Sequence, residues 1–278
     1  MKKIFHIVAL TLVLTSCEDV VDLDTPTGEV RLNIDAHFRV YTQEVPVRAT
    51  GQVVITETVN FFEENIPTVS GANVTITERG TGVVHILEET EQGSGVYEAD
   101  NLNFLNNFEE TFDFSVAVDG QLYSATAQTI PTAPIINIKQ GDLEIFGEED
   151  LEIIVTISDN PDRRDFYLFD FGFALYTPLD DQFFDGNDFE FSFLYTEDDE
   201  VDLQPGDVIT VISDGIDEQF FNYMELLLEQ ADGGGAIFSS PPATVRGNIV
   251  NQTDMGNIAF GYFRVSEAIA QDYTVLED

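Results

Sequence analysis

The chain has 278 residues, and 52 Asp and Glu against 11 Lys and Arg give a formal net charge of -41. Apolar residues make up 43%, enough to fill a core despite the charge, so general disorder is excluded. Such an acidic chain repels phosphate, which excludes a nucleic-acid binder, and its one Cys excludes a disulfide framework or a thiolate zinc site.

Lys2 and Lys3 make a short cationic start. Ile4 to Leu14 is an apolar run too short to span a bilayer as a helix, and it has the form of a secretory h-region. Leu14-Thr15-Ser16-Cys17 follows and resembles a bacterial lipobox. Small residues let the peptidase fit the chain before the cut, and the cysteine thiolate accepts a diacylglycerol group. The spacing predicts a signal peptide over residues 1–16, cleavage between Ser16 and Cys17, and lipidation of Cys17. Two acyl chains already anchor a protein stably. No later apolar stretch is long enough to cross a membrane. The expectation is a membrane partner reached through the N-terminal lipid, with the charge keeping the body off anionic lipid.

Residues 17–29 are acidic, contain Pro26 and Gly28, and read as a tether. From Arg31 to Val40 apolar and polar residues alternate, with Leu32, Ile34, Ala36, Phe38 and Val40 on one face. That period of two predicts a half-buried strand. Val53 and Ile55, Val74 and Ile76, and Val84 and Ile86 repeat the pattern, and Phe112, Phe114, Val116 and Val118 form another clean face. Asp119-Gly120 is a hairpin turn signal, and Tyr123, Ala125 and Ala127 carry the returning strand. About seven short strands without a helical stretch predict a β-sandwich over residues 30–131.

Pro131 to Pro134 reads as an extended linker. Residues 135–278 then read as a second β-rich domain. Its strands are Leu151 to Ile157, the aromatic stretch Phe166 to Leu175, alternating Phe189, Phe191 and Phe193, Val208 to Ile212, and Ile258 to Val265. One helix interrupts them, near 217–230. Phe220, Phe221, Met224, Leu227 and Leu228 stand three and four apart there, the spacing of a core-facing stripe. Ser213 or Asp214 is the expected cap, and Gly233-Gly234-Gly235 the expected stop. The fold class is therefore all-β with a single α-helix.

Several stretches together resemble one family, the Bacteroidota lipoproteins grouped as domain of unknown function 4249. They are Asp22-Leu23-Asp24 after the lipobox, Val69 to Ile76, Gly95-Val96-Tyr97 and Asp119 to Thr126. Phe238 to Pro242, Gly247-Asn248-Ile249 and Phe260 to Phe263 complete the pattern near the end. The resemblance covers nearly the whole mature chain and rests on the order of these stretches. It implies an immunoglobulin-like or prealbumin-like first domain and a gene neighbourhood with TonB-dependent outer-membrane receptors. It implies no catalytic residues. Glu18 and Asp19 resemble the acidic signal that sends such lipoproteins to the outer face of the outer membrane. The functional expectation is a surface-exposed accessory binding protein of a TonB-dependent β-barrel receptor. The alternative is a free-standing adhesin or glycan-binding lipoprotein.

No enzymatic chemistry and no cofactor are expected. His37 and His85 fall at polar strand positions and read as exposed. Carboxylates are so many that a pair in sequence has no predictive force. Asp180, Asp181, Asp185, Asn187 and Asp188 are hard oxygen donors close together, a set that suits calcium. Their spacing departs from an EF-hand loop, and they read as a solvated acidic turn with no metal assigned.

Overall fold

The computed structural model describes residues 28–277 except 61, 62, 64, 100, 101, 103, 105–107, 109, 143–149, 162, 197, 198, 200 and 232–243. Ser16, Cys17, the glycine run 233–235 and the 238–242 stretch lie outside the described residues. Seven strands fill the first half: β1 (Leu32–Tyr41), β2 (Arg48–Glu57), β3 (Asn73–Glu78), β4 (Val84–Glu89), β5 (Val96–Glu98), β6 (Thr111–Val118) and β7 (Gln121–Ile130). The alternation of β1 places Ile34, Ala36, Phe38 and Val40 in the core, as its period of two requires.

These strands form two layers joined at both edges. At one edge β4 pairs with β5. At the other the joining strand comes from the far end of the chain, β15 (Phe263–Thr274), parallel to both β1 and β7. The order β15-β1-β2-β5-β4-β3-β6-β7 thus returns to β15 and closes an eight-stranded barrel. The expected sandwich of separate sheets becomes a closed sheet, because residues outside 30–131 supply its last strand. Phe263 enters the barrel core, its ring stacked on Phe114 at 4.8 Å. The C-terminal strand also begins and ends later than the expected 258–265.

The second half holds β8 (Ile135–Gln140), β9 (Leu151–Ser158), β10 (Phe166–Asp170), β11 (Tyr176–Asp180), β12 (Asp188–Tyr195), β13 (Val208–Ile216), α1 (Glu218–Ala231) and the short β14 (Val250–Asn251). β13 pairs with the later half of β15, and β10 and β11 continue outward from it. β12, β9 and β8 form a separate three-stranded sheet. β10 is buried on both sides, which explains its unbroken apolar run. Tyr167 and Phe169 face the three-stranded sheet, while Phe166 and Leu168 share a cluster with Phe220 and Met224 of α1. The helix covers the sheet with Phe220, Phe221, Met224 and Leu228 of its predicted stripe, while Leu227 is exposed and Tyr223 joins the cluster instead. Its cap is neither Ser213 nor Asp214, since β13 runs on through both; Asp217 Oδ1 accepts from the Phe220 N–H at 2.7 Å.

The inward face of β4 is the opposite of the expected one. Val84 and Ile86 are 53% and 62% exposed, whereas Leu87 is buried. Register explains this: Leu87 stands opposite Val74 and His85 opposite Ile76, and directly opposed residues share a face.

Gly261 makes the approach to β15 possible. Its φ is +90°, and an added Cβ would run into the Ile34 carbonyl. Phe260 and Tyr262 on either side accept from Ile34 and Ala36 at 2.9 Å. Gly261→Ala should cost at least about 3 kcal/mol. Gly120→Ala has φ +73° with open space around the Cβ, so it should cost only the left-handed strain of about 1–2 kcal/mol. Urea denaturation of both variants checks the difference.

Candidate functional site

The most constrained polar residues lie where the barrel meets the second sheet. Arg39 projects from the outer face of β1 and Asp214 from β13. The guanidinium donates to both Asp214 oxygens at 2.9–3.0 Å and to Asp170 of β10 at 2.7 Å. Arg264 of β15 approaches Asp214 from the other side at 3.2 Å. Asp214 is wholly buried, and both arginines are nearly so. Burial alone would raise the Asp214 pKa, but the charges of Arg264 and Arg39 and the Arg39 hydrogen bonds outweigh it and hold the carboxyl below its usual range. Next to this centre Glu267 accepts from the Thr132 N–H at 2.9 Å and from the Thr42 hydroxyl, and the Thr132 and Ser213 hydroxyls bond at 2.7 Å. The network clamps β1, β10, β13, β15 and the 131–134 connection together.

A second constellation gathers around the turn before β12. Carboxylate oxygens of Asp159, Asp181 and Asp185 lie within 4.8 Å of one another. Asp181 and Asp185 belong to the five residues singled out in the sequence. Asp180 turns away, accepting from Arg164 at 2.7 Å and from the Gln182 N–H at 2.8 Å. Asn187 donates to the Asp185 carbonyl, and Asp188 opens β12. Asp159 went unseen because it arrives from the end of β9, across the fold and without a local signal. Its oxygens accept from the Tyr167 hydroxyl and from the Gly186 N–H at 2.7 Å, and Asp181 accepts from the Asp165 N–H at 2.7 Å. These carboxylates act as a clamp on the turn. Burial raises the Asp181 pKa, the charges of Asp159, Asp165 and Asp180 add to the rise, and the Asp165 N–H opposes it.

The histidines differ from their expected exposure. His85 is largely buried, with Nε2 2.7 Å from buried Glu78 and its ring edge-on to Phe104 at 5.2 Å. His37 is partly covered and stands 3.8 Å from Asp35.

A family described as a domain of unknown function (DUF4249) matches residues 19–271. The chain belongs to the DUF4249 family. No match to a curated protein or to a solved structure was found. In this DUF4249 protein the matched span takes in β1, β13 and nearly all of β15, so the family unit contains the three strands that meet at the Arg39–Asp214–Arg264 centre.

The two carboxylates predict opposite pH behaviour. The folded pKa of Asp214 lies below 3.8, so its contribution is complete above the unfolded value and is lost as pH falls through the folded one. Asp214→Asn leaves two buried arginines short of a partner and should cost about 3–5 kcal/mol at pH 7. The folded pKa of Asp181 lies above 3.8, so its contribution is complete below the unfolded value and is lost as pH rises through the folded one. Asp181→Asn should therefore raise the melting temperature at pH 7 and leave it unchanged at acid pH. Because both Asp159 oxygens and one Asp181 oxygen already accept protein donors, calcium should stabilise no more than magnesium once charge is screened by NaCl. A saturable, calcium-specific rise abolished by Asp185→Ala would instead make the cluster a cation site.

Proposed function

We propose that this DUF4249 protein is a lipid-anchored accessory binding protein of the cell envelope, serving a TonB-dependent receptor in the outer membrane. One observation carries the reading. The chain's single cysteine stands at the end of Leu14-Thr15-Ser16-Cys17, directly after an h-region and directly before an acidic leader. Acylation there ties the β-rich body to the membrane without a spanning segment. Among the described residues no helix is long and apolar enough to cross a membrane. Surface exposure follows from the Glu18-Asp19 leader, and the receptor partner from the family resemblance. The immunoglobulin-like or prealbumin-like kinship belongs to the same proposal: the layers β15-β1-β2-β5 and β4-β3-β6-β7 have the strand count of such modules, here joined at their edges. A protein of this kind needs no catalytic centre, and its loops and strand edges supply the binding surface.

Three measurements test this. The mature N-terminal peptide should begin at Cys17 and carry acyl mass, and Cys17→Ala should move the protein into the soluble fraction. Protease added to intact cells should remove the wild type, and replacing Glu18 and Asp19 by alanine should protect it. Purification from native outer membranes in detergent should bring down a TonB-dependent barrel. Recovery of the lipoprotein alone would favour the free-standing adhesin.

A further inference from the structure

Sheet edges are where a β protein either blocks or accepts another strand. Three of the terminal strands carry a block. β11 has Pro178 at its centre, and Tyr176 at its start packs into the cluster under α1. β14 is two residues long. β8 has an irregular register between Ile135 and Asn137, and its Gln140 N–H is taken by the Tyr273 hydroxyl at 3.1 Å. β12 has none of these devices. It runs eight residues in unbroken antiparallel register with β9, without proline or glycine, and among the described residues no strand pairs with its other side. Alternate residues of such a strand direct their N–H and C=O away from the neighbour.

The side chains of β12 define what would fit. Phe189, Phe191 and Phe193 face the core layer yet stay partly exposed, so the apolar layer stops at an unfinished border. Asp188, Glu190 and Ser192 occupy the outer face and are exposed. Lys139 bridges to Glu190 at 3.0 Å and is the one lysine beyond the leader. The two most exposed phenylalanines among the described residues stand near the ends of this strand. Phe183, 90% exposed, adjoins Phe184, whose ring stacks on Phe189 at 4.1 Å. Phe173, 62% exposed, lies edge-on to Tyr195 at 6.5 Å. Phe173 is also held at φ +54° between Gly172 at +79° and Ala174 at +61°. Two non-glycine residues in the left-handed region cost free energy, and such strain collects where a residue must be displayed.

We propose that the open edge of β12 is a docking site for an extended, basic segment of a partner protein. The segment adds a strand to the β12-β9-β8 sheet. Its apolar side chains complete the phenylalanine layer, its lysines or arginines meet Asp188 and Glu190, and Phe183 and Phe173 grip its two ends. A second copy of this chain does not fit, because β12 against β12 sets like charges side by side on a chain of net charge -41. This goes beyond the accessory-binding reading and does not depend on the lipid anchor, so either can fail without the other.

The test is hydrogen exchange on the full chain in detergent micelles with an eight-residue peptide alternating lysine and valine. Amides of β12 should gain saturable protection, and added NaCl should weaken it. Glu190→Lys should lower affinity about tenfold. Asp188→Asn should lower it in the same direction, which keeps the test valid if the charge reversal disturbs the Lys139 pair. Phe173→Ala should weaken binding while raising or preserving the melting temperature. A peptide of the same composition with a central proline, and one alternating glutamate and valine, should leave β12 unprotected. Absence of protection at β12, protection at β11 or β8 instead, or equal affinity for the proline-broken peptide would overturn the proposal.

Discussion

β15 runs parallel to β1 along its first half and antiparallel to β13 along its last. One strand closes the barrel with its first half and starts the second sheet with its last half. A parallel pair between the two ends of a chain has no hairpin to set its register. Side chains must do that, and the Arg39–Asp214–Arg264 centre is placed to do it. Arg39 and Arg264 stand diagonally across the β1–β15 ladder on the same face, where His37 pairs with Arg264 and Arg39 with Ser266. Both guanidiniums converge on one buried carboxylate from β13. A slip of β15 by one residue against β1 would turn Arg264 into the barrel core and bring Phe263 out. The buried ions thus specify register more than they add net stability.

Much of the fold was legible because one-sided burial writes itself into a strand. The alternation in β1 and β6 and the stripe in α1 each reported a face. The failures have physical causes too. In β4 both faces carry apolar residues, so Val84 and Ile86 looked like the core pair while His85 and Leu87 took that place. The inward His85 is possible because buried Glu78, at the end of the neighbouring strand β3, stands 2.7 Å from its Nε2. β15 was misplaced because Arg264, Ser266 and Glu267 look like surface residues, yet all three are buried in the network at the junction. Two-sided burial of a polar strand has no period to read. The carboxylate cluster was half legible: Asp181 and Asp185 are close in sequence, and Asp159 joins them only through the β9–β12 pairing.

The distribution of charge links this architecture to the proposed role. Of few cations, Arg39 and Arg264 are committed to the junction, Arg79 to Asp113, and Arg163 and Arg164 to the acidic turns. The remaining surface is strongly acidic and repels both anionic lipid and copies of itself. In the proposed role, a lipid tether through residues 17–29 would hold such a body near the membrane and off its anionic surface. The proposed partner would then be recognised through contacts that favour basic groups, and the unblocked edge of β12 is a place where backbone pairing and that charge preference coincide.

The shared strand makes the barrel and the second sheet a single cooperative unit. Differential scanning calorimetry of the full chain tests it most directly. A single transition whose calorimetric enthalpy equals its van't Hoff enthalpy is the predicted result. Two separable transitions, with the second sheet melting while the barrel stays folded, would contradict it.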